Sequence, residues 1–219
     1  MNSLEESTDK SIIVTPKANV DIKKSPKIYF SYAWGDAHET GESREKIVSD
    51  LYKSFKGDGF NVVRDKEDLD YKGLISDFMK EIGESGFIVV AISDKYLKSD
   101  NCMLEMYEIF RNSKLEKKGF IERIYPIRVE SISLSQPKVL MHYFKYWEEK
   151  EKEWAELVTT FGTRIKPAQQ EKYNRVKAIA HELGDFLDFL SDINSKSKEE
   201  LSENNFEKIK KAIIEKIKD

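Results

Sequence analysis

Phe87-Ile88-Val89-Val90-Ala91-Ile92-Ser93 is an almost unbroken apolar run, rich in β-branched residues. A strand apolar on both faces is the buried middle of a parallel sheet covered by helices on each side. Asp94, Lys95 and a short polar passage follow. Then comes Ser99-Asp100-Asn101-Cys102-Met103-Leu104-Glu105-Met106-Tyr107-Glu108-Ile109-Phe110, which reads as a helix. At about 100° per residue, Cys102, Met106, Ile109 and Phe110 share one face. Glu105 stands on the border of that face, a carboxylate at the rim of the core near the carboxyl end of a central strand. Open α/β sheets take their ligands at that end.

Outward from this pair, the same alternation continues in both directions. Lys27 to Trp34 reads as a first strand, ending in a turn at Gly35-Asp36. Glu42 to Phe55 is helical, with Ile47, Val48, Leu51, Tyr52 and Phe55 as its apolar stripe, and Gly57-Asp58-Gly59 stops it. Phe60 to Arg64 is a second strand. A polar loop, Asp65 to Gly73, leads to a helix from about Leu74 to Glu84 that buries Ile75, Phe78, Met79 and Ile82. Beyond the key helix, Lys114 to Gly119 is a charged turn. Arg123 to Val129 is a fourth strand whose Pro126 places it toward an edge or at a bulge. His142-Tyr143-Phe144-Lys145-Tyr146-Trp147 reads as a short fifth strand. The β-α alternation gives a doubly wound parallel sheet of five strands; the expected form is flavodoxin-like, with the order 2-1-3-4-5.

After Trp147 the strand signals end. Glu148 to Phe161 and Ala168 to Ile193 read as helices. The second carries an apolar stripe of Tyr173, Val176, Ile179, Ala180, Leu183, Phe186, Leu187 and Leu190. Asn194 to Glu203 is polar, and Phe206 to Ile217 is an amphipathic terminal helix that can pack on the sheet. Residues 1–25 read as a flexible leader. The expected organisation is therefore a leader (1–25), an α/β domain (26–147) and a helical C-terminal elaboration (148–219), with its last helix at about 205–217.

Composition narrows the function classes. The 219 residues carry 37 Lys+Arg against 40 Asp+Glu, a net charge of −3, which lacks the basic excess of a general nucleic-acid binder. The one cysteine forms no intramolecular disulfide, and with three scattered histidines it offers no metal-ligand spacing. The N-terminus has no apolar core of signal-peptide length, and no apolar run is long enough to span a membrane. The expectation is a cytoplasmic protein with no nucleic-acid or membrane partner. The ten glycines form no phosphate-binding loop or dinucleotide fingerprint.

Three boxes carry a family resemblance. Phe30-Ser31-Tyr32 resembles the opening box of the Toll/interleukin-1 receptor (TIR) domain family. Arg64-Asp65, Leu69, Gly73, Ile75, Met79, Ile82 and Ser85 are similar to its second box. Ser99, Cys102 and Glu105 resemble the family pattern Ser-x-Trp-Cys-x-x-Glu, with Asn101 at the tryptophan position. The match covers about Pro26 to Trp147, and Phe206 to Ile217 corresponds to the family's last helix.

The resemblance implies two kinds of function. Some members, many bacterial ones among them, cleave NAD at the nicotinamide–ribose bond with the glutamate at the position of Glu105. This implies NAD as substrate, no cofactor, and nicotinamide with ADP-ribose or a cyclised or conjugated form as products. The biological setting it implies is bacterial antiviral defence or immune signalling, with a downstream effector of an ADP-ribose-derived messenger as a partner. Other members are scaffolds without chemistry that recruit further TIR proteins; self-association through the loop 65–73 is implied for both. A phosphoreceiver-like switch shares the sheet topology, but Tyr32, Ala33 and Trp34 stand where it needs acidic residues.

The substrate-contact set implied by the resemblance is Tyr32, Ala33, Trp34, Asp65, Leu69, Gly73, Ile75, Asn101 and Cys102. Asp65, Cys102 and Trp34 each have a plainer reading. Asp65 is equally a residue capping its own loop, and Cys102 fits a small core residue better than a nucleophile. Trp34 is either the aromatic wall that Asn101 does not supply or a strand-end ring packed under its loop.

Overall fold

Alternation along the strands sorts the core into two layers. The computed structural model describes residues 26–34, 44–64, 75–114, 116–193, 196–197 and 206–218. Their order is β1 (Ile28–Ser31), α1 (Arg44–Gly57), β2 (Val62–Arg64), α2 (Ile75–Glu84), β3 (Ile88–Ile92), α3 (Asp94–Lys98), α4 (Asp100–Asn112), α5 (Lys117–Ile121), β4 (Ile124–Arg128), α6 (Pro137–Phe161), α7 (Pro167–Asp192), β5 (Lys196–Ser197) and α8 (Glu207–Lys218). The strands form one parallel sheet in the order β2-β1-β3-β4-β5, in which the first four are those the pattern predicts. The expected leader 1–25, the turn at Gly35-Asp36, the loop 65–73 and the side chains of Ile75 and Met79 lie outside the described residues.

Tyr29, Ile88, Val90, Ile92 and Ile124 face α2, α4 and the hairpin of α6 and α7. Ile28, Phe30, Val89, Ala91 and Ile127 face the other way, against α1 and α8. Successive side chains point to opposite faces of a strand, so β3 has no polar side. All five of its residues are buried. Val48, Leu51, Tyr52 and Phe55 form the buried stripe of α1, and Ile209 and Ile213 that of α8. The terminal helix thus packs on the sheet. Just past α1 stands Gly59, whose φ of 87° is open to glycine without a Cβ clash. Gly59 and Phe60 donate their N–H groups to the Lys56 and Phe55 carbonyls, and the Phe55 and Phe60 rings lie 5.0 Å apart. This is the glycine-terminated helix end with its apolar clasp.

Two sequence expectations are corrected. His142–Trp147 is not a strand: it lies within the 25-residue α6. Its aromatic density imitates strand propensity, but Tyr143, Tyr146 and Trp147 fall three and four residues apart on one helical face, and Pro137 opens the helix. Trp147 Nε1 donates to the Leu97 carbonyl at 2.9 Å, and the Tyr146 hydroxyl donates to that of Lys98 at 2.9 Å. The expected boundary at 147/148 therefore falls inside one helix, and α6 and α7 share their core with the sheet. The fifth strand is instead the two-residue β5, paired with Ile127 and Arg128.

The passage after β3 and the charged turn after α4 are also partly helical, as α3 and α5. Pro126 suits its place. Arg123 accepts from Ile88 and Val129 donates to Ile92, so the odd-numbered residues of β4 bond β3. The missing donor of Pro126 faces away from β3, just short of the two residues that β5 pairs.

Candidate active site

β1 and β3 are neighbours in the middle of the sheet, with Ser31 beside Val90. The chain leaves β1 through Tyr32, Ala33 and Trp34. It leaves β3 through Ser93, whose hydroxyl accepts from Tyr96 N at 3.0 Å and starts α3. Ser99 ends α3 and starts α4, its hydroxyl accepting from Cys102 N at 3.3 Å. A serine at each N-cap satisfies one orphan donor and sets the angle of entry. The two caps aim the first turns of α4 at the end of β1.

A cleft of about 190 Å³ lies between them, lined by Tyr32, Ala33, Trp34, Lys95, Ser99, Asn101, Cys102 and Glu105. Six residues singled out from the sequence meet here: Tyr32, Ala33, Trp34, Asn101, Cys102 and Glu105. Asp65, Leu69 and Gly73 lie outside the described residues, as does the side chain of Ile75. Lys95 and Ser99 join the cleft without having been named as contacts. Ser99 was legible as a cap ahead of an apolar run; nothing local marks Lys95, an ordinary lysine in a polar passage.

Glu105 is 4% exposed. The Ser31 hydroxyl donates to its Oε2 at 2.5 Å, and Ser31 Oγ is 2.8 Å from the Tyr96 hydroxyl. Tyr96 is fully buried. Burial pushes its phenol well above the usual tyrosine range, and the neighbouring Cys102 and Glu105 add to this; the bond to Ser31 acts the other way. Cys102 lines the cleft and also belongs to the core, in keeping with the core reading. Trp34 stands at the cleft wall and is 45% exposed.

A larger hollow of about 270 Å³ lies at the far end of β4, lined by Ile92, Arg128, Ser133, Asp192 and Ile193 among others. Its carboxylate, Asp192, is exposed and paired with Lys117 at 2.8 Å. The smaller cleft is the stronger candidate because it holds the buried carboxylate. Among the described residues, no group of three or more His, Cys, Asp or Glu is placed to hold a metal ion, and no helix is long and apolar enough to cross a membrane.

A TIR domain family model matches residues 28–159. No curated protein matches the chain. Among solved structures, the TIR domains of the activated Roq1 resistosome, which directly recognizes the pathogen effector XopQ, are similar at 20% identity and a TM-score of 0.50. That match covers 88% of this chain and 99% of the other. At such identity the likeness speaks for the fold alone.

Proposed function

The chain belongs to the TIR domain family, and from that premise we propose that it cleaves NAD at the nicotinamide–ribose bond, with Glu105 as the carboxylate beside the reacting ribose. The observation that carries the reading is Glu105 itself, buried on the cleft wall at the carboxyl ends of β1 and β3. Ordinary glycosidases need a second carboxyl group as acid, because their leaving oxygen must be protonated. Nicotinamide departs as a neutral molecule from a cationic pyridinium, so no proton has to be delivered. One fixed anion can stabilise the positive charge that develops on the ribose and hold its hydroxyls. Trp34 offers an aromatic face to the cationic ring. Lys95, on the same cleft, offers a positive charge to the pyrophosphate.

The products on this reading are nicotinamide and ADP-ribose, free, cyclised or conjugated. NAD depletion or a nucleotide messenger read by a downstream effector would serve defence signalling. The test is to incubate purified protein with NAD and resolve the products by chromatography, beside Glu105→Gln. The substitution keeps shape and removes charge. Turnover should fall at least about 100-fold with an unchanged circular dichroism spectrum and melting temperature. Near wild-type turnover in that variant would remove Glu105 from the chemistry.

The similar Roq1 TIR domains belong to a resistosome, and this favours a second reading. In it the chain is a scaffold that signals by TIR–TIR assembly. Assembly without release of nicotinamide by the wild-type chain would select it.

A further inference from the structure

Three polar side chains meet beneath the cleft: Ser31, 2% exposed, with the buried Glu105 and Tyr96. Ser31 is the last residue of β1 and lies on the same sheet face as Tyr29, the face that α4 covers. A serine hydroxyl has one proton to give and lone pairs to accept with. An ionised carboxylate only accepts, so the Ser31 proton lies toward Glu105 Oε2. The phenol of Tyr96 is then the donor to Ser31 Oγ. Its burial keeps that phenol protonated far above neutral pH, so it remains a donor. Valence thus orders the chain from Tyr96 through Ser31 to Glu105, and each bond polarises the next.

We propose that Tyr96, acting through Ser31, is a positioning residue for Glu105: the two hydroxyls fix the plane of the carboxylate and hold it in its charged form. The inference rests on the reading of Glu105 as the group beside the reacting ribose. The far end of the relay is anchored in turn. Ser93 caps the Tyr96 N–H, and the Tyr143 hydroxyl of α6 donates to Asp94 Oδ1 at 3.1 Å. Helix α6 is thereby linked to the orientation of the carboxylate.

The titratable groups around Glu105 are Tyr32 from the end of β1, Lys95 and Tyr96 from α3, and Cys102 from α4. The test leaves Tyr32, Lys95 and Cys102 in place. The full chain is labelled with 13C-glutamate, and the Glu105 carboxyl is followed by NMR through a pH titration, its signal identified by loss in Glu105→Gln. Wild type, Ser31→Ala, Tyr96→Phe and the double variant are compared. Each single variant should move the Glu105 midpoint to higher pH. The double variant should move it no further than Ser31→Ala, because Tyr96 has then lost its route. In Tyr96→Phe, kcat for NAD cleavage should fall about tenfold with KM changed less than about twofold.

A lowered melting temperature with an unchanged Glu105 titration would make Tyr96 a core residue only and overturn the proposal. Additive shifts in the double variant would overturn it too, since Tyr96 would then act without Ser31. A wild-type chain that releases no nicotinamide overturns the cleavage reading instead, and the relay is then decided by the titration.

Discussion

Glu105 occupies a position where a side chain of its kind is costly. A buried carboxylate loses its hydration and must regain it from fixed donors, and Ser31 is one such donor. The helical period alone puts Glu105 at the core's rim. The donor is not readable that way, because Ser31 lies 74 residues away in the chain and Tyr96 lies 65 residues from Ser31. Trp34 and Asn101 bear on the same cleft. Both line it, and Trp34 presents a large exposed ring. Flat rings stack on aromatic faces, and the nicotinamide ring is cationic before cleavage. Trp34→Ala should therefore raise KM for NAD by about 5- to 30-fold, the equivalent of about 1–2 kcal/mol. Asn101→Ala should change it little. KM and melting temperature measured on one Trp34→Ala preparation check this; a lower melting temperature with the same KM would return the ring to a packing role.

Among the elements, β3 and α4 are plain in the sequence because one is apolar throughout and the other is periodic. α6 was hidden. It carries four Phe, Tyr or Trp residues among the six from His142 to Trp147, and such density is what strands favour. Tertiary contacts settle the matter, since Tyr146 and Trp147 satisfy the last carbonyls of α3. Those carbonyls have no partner inside a helix of five residues. Trp147→Phe keeps most of the ring volume but leaves the Leu97 carbonyl buried without its indole donor. It should cost about 1–3 kcal/mol of stability, read by denaturant melts. It should also lower NAD turnover, because α3 carries Lys95 and Tyr96. A variant as stable as wild type would show that the bond contributes nothing to holding α3.

For the molecule as a whole, the sheet is covered on both faces, by α1 and α8 on one side and by α2, α4 and the α6–α7 hairpin on the other. The cleft opens at the edge of this sandwich, at the strands' carboxyl ends. The family resemblance assigns self-association to the loop 65–73, which alternates charges and holds Gly73 for backbone freedom. If that association completes the site across two protomers, specific activity should rise with protein concentration in step with the mass measured by light scattering. Constant specific activity in a monomeric preparation would refute the dependence on assembly.

Local pattern is enough for the first four strands, for the two faces of β3 and for the rim position of Glu105, because each follows from a period of two or about 3.6 residues along the chain. It is not enough for β5, where Lys196 and Ser197 contribute backbone pairing at an edge with no apolar signature. Nor does it show Lys95 at the cleft, or the path from Tyr96 through Ser31 to Glu105. Those depend on which strand ends and helix caps lie side by side once the sheet has formed, and hydroxyl bonds between distant residues leave no periodic trace in a sequence.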